Sequence, residues 1–338
     1  MANWLQKQWL SFTSWHIFLM PLSWLFGLIS FVRKSLYKYG LLKSYRLNVP
    51  VIIVGNINVG GTGKTPLVIW LAEQLQMAGY KPGIISRGYG GTAMATQAVF
   101  PQSNPQEVGD EPVLITRRTG CPVFVSQNRV AAGQALLKIH PECNVVISDD
   151  GLQHYRLKRD VEIVVLDGTK GFGNGALLPA GPLRESMTRL SAVDAVVSNG
   201  KVTHTSIDKN NNKMSTIEMQ LESGFFYNLV DKSLKCDAQS FANKQVLAIA
   251  GIGNPARFFQ QLSRLGLHFQ SLALPDHHKF KSQDFKQVSA DIIVMTEKDA
   301  VKCESFAQAN YWVLPVVAVI NSELIQIVLN KLQKIQIR

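Results

Sequence analysis

Short runs of β-branched and aliphatic residues alternate with helical patterns in the first half of the chain. The runs predict six strands, at residues 51–54, 82–86, 123–126, 145–148, 163–166 and 195–198. Apolar positions at helical spacing predict helices at 65–78, 110–119, 128–139 and 186–191. This alternation is typical of βαβ units with a mostly parallel sheet, and such sheets bind their ligands at the carboxyl ends of the strands.

A second α/β pattern follows a polar stretch at 201–215 that has no periodicity. It predicts strands at 245–250, 268–273, 292–295 and 311–320, and helices at 254–265 and 321–336. We therefore expect the chain to have three parts. They are an N-terminal helix with a basic segment at 1–44, a first α/β domain at 45–215, and a smaller α/β domain at 216–338 that closes a cleft.

The N-terminal segment is apolar and almost free of charge. Between Trp9 and Val32 no residue carries a formal charge, apart from His16 when it is protonated. The segment is long enough to approach or cross a bilayer core, but Pro21 and scattered Ser and Thr residues equally fit a helix that lies in the membrane interface. A helix packed on its own domain is the third alternative. A basic cluster follows, formed by Arg33, Lys34, Lys38, Lys43 and Arg46. Such a cluster predicts that the rest of the chain is cytoplasmic.

A glycine-rich loop follows the first predicted strand and leads into a helical pattern. It fits the G-x-x-x-x-G-K-[ST] phosphate-binding loop (P-loop), except that Asn58 replaces the first glycine; Asn tolerates left-handed backbone angles. The glycines let successive N–H groups point at an anion, Lys64 reaches the β- and γ-phosphates, and Thr65 ligates Mg²⁺. The fold class is therefore α/β with a P-loop NTPase-like domain. The predicted nucleotide-binding residues are Asn58, Val59, Gly60, Gly61, Thr62, Gly63, Lys64 and Thr65.

The segment S-D-D-G-L-Q-H at 148–154 has the form of a Walker B element. A buried strand delivers Asp149 and Asp150 to the edge of the sheet, where one of them can hold Mg²⁺ directly or through water. Adjacent carboxylates repel each other unless a cation lies beside them. The sequence therefore predicts a magnesium site formed by Thr65, Asp149 and Asp150.

Polar residues after two other strands have both a functional and a structural interpretation. Arg87 and Tyr89 lie in a glycine-rich turn that either contacts a phosphate or sugar or forms a plain surface loop. Asp110 and Glu111 begin a helix, where a carboxylate acts either as a cap or as the acceptor of a proton from an attacking hydroxyl.

Two later segments carry further candidates. Arg184 and Glu185 end a loop braced by proline and glycine, and Arg184 suits either a transferring phosphoryl group or a surface ion pair. His277 and His278 follow Asp276; one of them could pair with a carboxylate of the first domain, or both could be solvated in a turn. His154 on its own is more typical of a structural residue.

Composition narrows the function classes. The 338 residues carry a formal net charge of +11, which implies an acidic partner such as nucleic acid, anionic lipid or a phosphorylated metabolite. The four cysteines show no C-x-x-C spacing, so they fit buried thiols in a reducing compartment rather than a metal site. A nucleic-acid-binding ATPase would explain the charge but not the apolar N-terminus, and no basic stripe with interleaved aromatics is present. We therefore expect no nucleic-acid partner.

Seven motifs occur in a fixed order behind the apolar N-terminus. They are N-V-G-G-T-G-K-T-P, S-R-G-Y-G, G-D-E-P, S-D-D-G-L-Q-H, L-P-A-G-P-L-R-E, P-D-H-H and T-E-K-D. The set closely resembles the tetraacyldisaccharide 4′-kinase (lipid A 4′-kinase) family over about residues 10 to 305. The resemblance implies transfer of the ATP γ-phosphate to the 4′-hydroxyl of a tetraacyldisaccharide 1-phosphate, giving lipid IVA. It also implies the cytoplasmic face of a Gram-negative inner membrane, with a peripheral or single-pass anchor and no protein partner.

The resemblance also suggests roles for the candidates. Asp110 would deprotonate the sugar hydroxyl, assisted by a histidine, with His277 favoured over His278. Lys64 and Arg184 would act on the phosphates and on transition-state charge. Residues that contact substrate or support the site would be Arg87, Tyr89, Glu111, Gln153, His154, Glu185 and His278. The main alternative is a membrane-bound P-loop ATPase or GTPase switch, although no base-reading N-K-x-D element is present.

Overall fold

The computed structural model describes residues 8–92, 95–202, 216–285 and 290–336. Most of the polar stretch predicted as a linker, residues 203–215, lies outside these ranges. The architecture is α/β, as the sequence predicts, with two sheets and an N-terminal helix.

The first sheet is built on the P-loop strand. Eight of its strands, in chain order, are β1 (Val51–Gly55), β2 (Pro82–Ser86), β3 (Gln97–Val99), β4 (Val123–Val125), β5 (Val145–Asp149), β6 (Val161–Asp167), β7 (Ala195–Asn199) and β8 (Thr216–Glu222). β1 lies between β5 and β6 and is parallel to both. The two aspartates at the end of β5 are therefore adjacent to the P-loop that follows β1.

Helices cover both faces of this sheet. The α-helices among the described residues are α1 (Ser14–Lys38), α2 (Lys64–Met77), α3 (Pro105–Val108), α4 (Asp110–Thr119), α5 (Arg129–Ile139), α6 (Pro255–Arg264), α7 (Glu297–Cys303) and α8 (Glu323–Gln336). In β1, Ile52 and Val54 pack with α2 on one face while Val51 and Ile53 pack with α5 on the other. Burial on both faces explains why the strand is an unbroken apolar run.

The second sheet has six strands. They are β9 (Phe226–Asn228), β10 (Lys235–Cys236), β11 (Val246–Ala250), β12 (Gln270–Ala273), β13 (Ile292–Thr296) and β14 (Tyr311–Leu314), in the spatial order β10-β9-β14-β13-β11-β12. The central pairs β11–β13 and β13–β14 are parallel. Their carboxyl ends, and the loops that follow them, face the first sheet across a cleft.

The sheets divide the chain differently from the boundary expected at residue 215. β8 belongs to the first sheet, and β15 (Val317–Ile320) returns to pair antiparallel with it, giving the order β15-β8-β7-β6-β1-β5-β2-β4-β3. The strand region expected at 311–320 is therefore two strands in different sheets, interrupted at Pro315 and Val316. The helix expected at 186–191 is a 3₁₀ turn, Met187–Ala192. Short 3₁₀ turns also occur at Ala238–Phe241, Ser282–Phe285 and Glu304–Phe306.

The N-terminal helix α1 is long and apolar enough, by length and composition alone, to cross a membrane. Most of its apolar side chains are exposed. One buried polar residue of the helix, Ser23, is hydrogen-bonded to the rest of the chain. The Ser23 hydroxyl donates to the Leu177 carbonyl (2.8 Å) and accepts from the Ala180 amide (2.9 Å). The Trp9 indole donates to the Pro179 carbonyl at 3.1 Å. These bonds tie α1 to the loop that ends in Arg184.

The return of the chain end to the first sheet can be tested through α8. Leu332 is fully buried in the core that α2 and α4 also form, so Leu332→Ala should lower the free energy of unfolding by about 2–5 kcal/mol. Urea titration of both variants against wild type would measure this, with exposed Lys334→Ala as the matched control. A Leu332→Ala midpoint no lower than that of the control would contradict the placement of α8.

Candidate active site

The P-loop is held by polar contacts from both sides. Gly63 has φ +95° at the start of α2, and a β-carbon there would lie 2.3 Å from the Asn199 amide nitrogen, so the position requires glycine. That Asn199 nitrogen donates to the Thr62 carbonyl at 3.0 Å. Asn58 does not have a positive φ; instead, its side-chain amide donates to the Gly171 carbonyl at 2.7 Å. The asparagine therefore tethers the loop, which is a different role from the one its backbone tolerance suggested.

The two aspartates at the end of β5 meet the P-loop lysine. Lys64 Nζ lies 3.3 Å from Asp150 Oδ1, and Arg184 Nη1 lies 3.6 Å from Asp150 Oδ2. Asp149 accepts a hydrogen bond from the Ser86 hydroxyl at 3.2 Å, while its buried Oδ1 has no hydrogen-bond partner among the described residues. An unpaired buried carboxylate oxygen beside a phosphate-binding loop suits a hard cation such as Mg²⁺. The residues present therefore fit the predicted magnesium site.

Burial and neighbouring charges shift the pKa values of these two carboxylates in opposite directions. Burial, reinforced by Glu111 and Asp150, raises the pKa of Asp149 to about 7. Burial would also raise the pKa of Asp150, but the charges of Lys64 and Arg184 lower it below its ordinary value. Asp149 thus holds a proton at moderately acidic pH that a bound cation would displace.

Arg129 supports the same end of β5 through hydrogen bonds to backbone carbonyls. Its guanidinium donates to the Ser126 carbonyl at 3.0 Å and to the Asp149 carbonyl at 3.1 Å, and burial lowers its pKa to about 10. His154 accepts from the Arg129 amide at 3.3 Å. Burial and the neighbouring arginines lower the pKa of His154 to about 4, so the ring is neutral when it accepts this hydrogen bond.

The loop after β12 brings a histidine across the cleft to the start of α4. His277 Nδ1 lies 3.2 Å from each carboxylate oxygen of Asp110, and the backbone of His277 has φ +58°, a strained value for a non-glycine residue. His278 points elsewhere, with Nε2 3.1 Å from Asp284. The structure therefore places His277, rather than His278, against Asp110. Asp110 is only 4% exposed and lies just behind His277 and Glu111, which line the cleft.

Lys298 is a site residue that the sequence reasoning missed. Thr296, the first residue of the T-E-K-D segment, caps α7 by accepting from the Asp299 amide at 3.2 Å. The first turn of α7, however, also points Lys298 into the cleft, where it donates to Glu111 at 3.0 Å and to Asp276 at 3.3 Å. The sequence offered two signals for this segment, its place among the seven motifs and its position at the end of a strand.

The loop containing Arg184 is supported by a hydrogen-bond network. Gln153 donates to the Asn56 carbonyl at 3.0 Å and to Glu185 at 2.9 Å, and the Tyr155 hydroxyl also donates to Glu185. Glu185 is buried and lies 3.6 Å from Arg189. Gln153 and Glu185 therefore connect the P-loop strand to the segment that presents Arg184.

The remaining candidates lie on the wall of the cleft. Tyr89 is exposed and its ring packs edge-on against His277, with 4.9 Å between ring centroids. Arg87 is also exposed and lines the same space. Both side chains are therefore accessible from the cleft.

A glycine turn of the second sheet, at 251–255, contacts the P-loop directly. A β-carbon on Gly253 would lie 2.8 Å from the Gly61 amide nitrogen. In the following helix, Arg257 donates to Asp167 at 3.1 Å and to the Asn199 carbonyl at 3.3 Å. The second sheet therefore contributes to positioning the P-loop.

These elements enclose a cleft of about 1220 Å³ that runs from the P-loop to α1. One end is polar and contains Lys64, Asp150 and Arg184, while the other is formed by apolar residues of α1 with Arg33 and Lys34 at their edge. The volume exceeds that of an ordinary small-molecule pocket, which is roughly 300–1,000 Å³. It suits a nucleotide together with a second, amphipathic substrate.

Comparisons with known proteins agree with this geometry. The family model for Tetraacyldisaccharide-1-P 4′-kinase matches residues 15–333. The chain is 48% identical to the tetraacyldisaccharide 4′-kinase of Methylobacillus flagellatus, over 99% of this chain and 97% of that protein. It is 46% identical to the Dechloromonas aromatica protein of the same name, over 100% and 99% of the two chains. A crystal structure of LpxK from Aquifex aeolicus in complex with ATP superimposes with a TM-score of 0.77 at 29% identity, covering 94% of this chain and 99% of that one.

The contrast between the adjacent aspartates gives a stability prediction. The pKa of Asp149 is about 7 in the folded protein against an ordinary 3.8, so the folded state retains a proton that the unfolded state releases. The free energy of unfolding therefore falls as pH rises between these values and stays lower above them. Asp149→Asn should raise it by about 1–3 kcal/mol above neutral pH, and by much less near pH 4.

Asp150→Asn serves as the matched comparison. The pKa of Asp150 is lowered in the folded protein, so its stabilising contribution is present above its ordinary pKa and is lost as pH falls. Asp150→Asn should therefore destabilise the metal-free protein at neutral pH. Denaturant titrations at several pH values, in the presence of a chelator, measure both effects. Destabilisation by Asp149→Asn above neutral pH would contradict the assignment.

Proposed function

The chain belongs to the tetraacyldisaccharide 1-phosphate 4′-kinase family, and we propose how its cleft carries out that reaction. The protein is a phosphotransferase that uses ATP to phosphorylate the 4′-hydroxyl of the lipid A precursor. The observation that carries the proposed mechanism is the contact of Asp110 with His277 across the cleft from Lys64. A switch that acts on no lipid is not favoured.

In the proposed mechanism the P-loop amides and Lys64 hold the triphosphate, with the N-terminus of α2 directed at it. Thr65, Asp149 and Asp150 would hold a magnesium ion, which would offset negative charge on the transferring phosphoryl group. Arg184, which lies beside Asp150 and lines the same cleft as Lys64, would stabilise charge that develops during transfer.

The acceptor hydroxyl lies, in this proposal, between the γ-phosphate and the Asp110–His277 pair. As its oxygen bonds to the γ-phosphorus, the bond from that phosphorus to the β–γ bridging oxygen breaks and ADP leaves. The hydroxyl proton passes to the pair, with Asp110 as the acceptor. Tyr89 and Arg87 contact the sugar or its substituents from the cleft wall.

Membrane association at the cytoplasmic face of the inner membrane is proposed for α1. Its exposed side chains include Phe18 (84%), Trp24 (67%) and Phe31 (68%), and the other described residues leave these side chains uncovered. Large exposed apolar surfaces beside basic residues are typical of segments that bind lipid. Because the apolar end of the cleft is formed by α1, the acyl chains of the substrate could remain in the bilayer while the disaccharide reaches the phosphates.

The base assignment is tested by Asp110→Asn, which keeps the shape of the side chain. Loss of a general base should lower kcat for lipid phosphorylation by about 10²–10⁴-fold with little change in KM for ATP, because the P-loop is untouched. The assay is transfer of labelled γ-phosphate to detergent-dispersed tetraacyldisaccharide 1-phosphate. His278→Ala is the control, since His278 pairs with Asp284 outside the contact. Equal rates for Asp110→Asn and wild type would exclude Asp110 as the base.

The membrane proposal is tested by placing charge on α1. Phe18→Glu combined with Leu25→Glu should move the protein from the pellet to the supernatant when it is sedimented with vesicles of bacterial phospholipid. Met77→Glu provides the control, because Met77 is an 81% exposed apolar residue on a different helix. If both variants remained bound to vesicles, α1 would not be the anchor.

A further inference from the structure

Lys298 is positioned where the two sheets meet, and its ammonium group contacts His277 and two carboxylates beside the Asp110–His277 pair. Its Nζ lies 3.0 Å from Glu111 Oε1, 3.3 Å from Asp276 Oδ1 and 3.4 Å from His277 Nε2. An ammonium group has three N–H donors and no acceptor. The three neighbours therefore account for its three donors.

The partners of the two ring nitrogens of His277 determine which nitrogen carries the proton. Nδ1 faces both oxygens of Asp110 at 3.2 Å, and an ionised carboxylate can only accept. Burial would raise the pKa of Asp110, but the hydrogen bond from His277 and the charge of Lys298 lower it, so the carboxylate is ionised. Nε2 faces the ammonium of Lys298, which can only donate. Nδ1 must therefore carry the proton and Nε2 the lone pair.

We infer that Lys298 is a positioning residue for the reaction: it donates to His277 Nε2, fixes the ring in the Nδ1–H tautomer and thereby leaves Asp110 as the proton acceptor. This inference rests on the proposed function of the Asp110–His277 pair. If Nε2 were instead the acceptor for the substrate proton, its lone pair would have to be free, and here it is directed at an ammonium group.

The other groups around His277 agree with this tautomer. Asp276 Oδ1 is 3.8 Å from Nε2, too far for a hydrogen bond, and it already accepts from the His277 amide at 3.0 Å. Lys302 Nζ lies 3.7 Å from Asp110 and adds positive charge on the carboxylate side. The Tyr89 ring packs on His277 edge-on. A proton on Nε2 would point at the Lys298 ammonium.

Because residue 90 is a glycine, the side of the His277 ring that faces Asp110 stays open. A β-carbon on Gly90 would lie 3.2 Å from His277 Nδ1, and Gly90 lines the cleft. The space beside the Nδ1–Asp110 contact is thus left for a substrate hydroxyl. In the reaction, the hydroxyl proton would pass to Asp110 while His277 retains its single proton on Nδ1.

The tautomer can be read directly by NMR. The full chain would be labelled with ¹⁵N-histidine in detergent, without nucleotide or lipid, and the seven histidines compared with those of His277→Gln to assign the ring. We expect the Nδ1–H tautomer in wild type and in Lys298→Arg, which keeps a charged donor. Lys298→Met should lose it, with kcat lowered on the order of 10²-fold and little change in KM for ATP.

Exposed Lys281→Met controls for the loss of one positive charge and should change neither the spectrum nor kcat. A proton on Nε2 of His277 in wild type, alone or in an imidazolium, would overturn the inference even if Lys298→Met failed to fold. Retention of the Nδ1–H tautomer and of full kcat in folded Lys298→Met would also overturn it. Because the tautomer is measured in the resting protein, a wild type that never labels lipid would instead overturn the proposed function alone.

Discussion

The approach of His277 to Asp110 depends on charge pairing between two short helices, α4 beside the first sheet and α7 beside the second sheet. α4 begins with acids and ends with bases, and α7 with the turn after it carries the complementary charges. The pairs are Asp110 with Lys302, Glu111 with Lys298, Arg118 with Glu297 and Arg117 with Glu304. Each helix alone would leave partly buried charges unpaired, which is costly. The pairing therefore fixes how the second sheet is placed against the first, and with it the approach of His277 to Asp110.

The P-loop also depends on contacts with the second sheet. A β-carbon on Gly253 would collide with the Gly61 amide nitrogen, so the turn of the second sheet approaches the P-loop closely only because residue 253 is glycine. Arg257 contacts Asp167 and Asn199 from the same side. Asn199 in turn bonds to the loop carbonyl at Thr62. The nucleotide end and the acceptor end of the cleft are thus linked through two contacts between the sheets. Any shift of one sheet relative to the other alters both ends together.

The sequence predicted much of the fold and part of the site, for identifiable physical reasons. The P-loop and the Asp149–Asp150 pair were evident because they need special residues at fixed spacing. β8 was missed as part of the first sheet because its burial alternates along the strand, and no local pattern shows which sheet it joins. Lys298 and Arg257 were missed because single charged residues in a helical pattern look like solvated surface until the tertiary contact is known.

In the proposed mechanism, Asp110 and His277 form one functional unit held together across the cleft. A double-mutant cycle of Asp110→Asn and His277→Asn, with kcat for lipid phosphorylation measured for all four proteins, tests this most directly. If the two residues act as one unit, the double variant should be about as slow as the slower single variant, because the first substitution already removes what the second affects. If the two losses in kcat simply multiply, the residues act independently and the central claim is wrong.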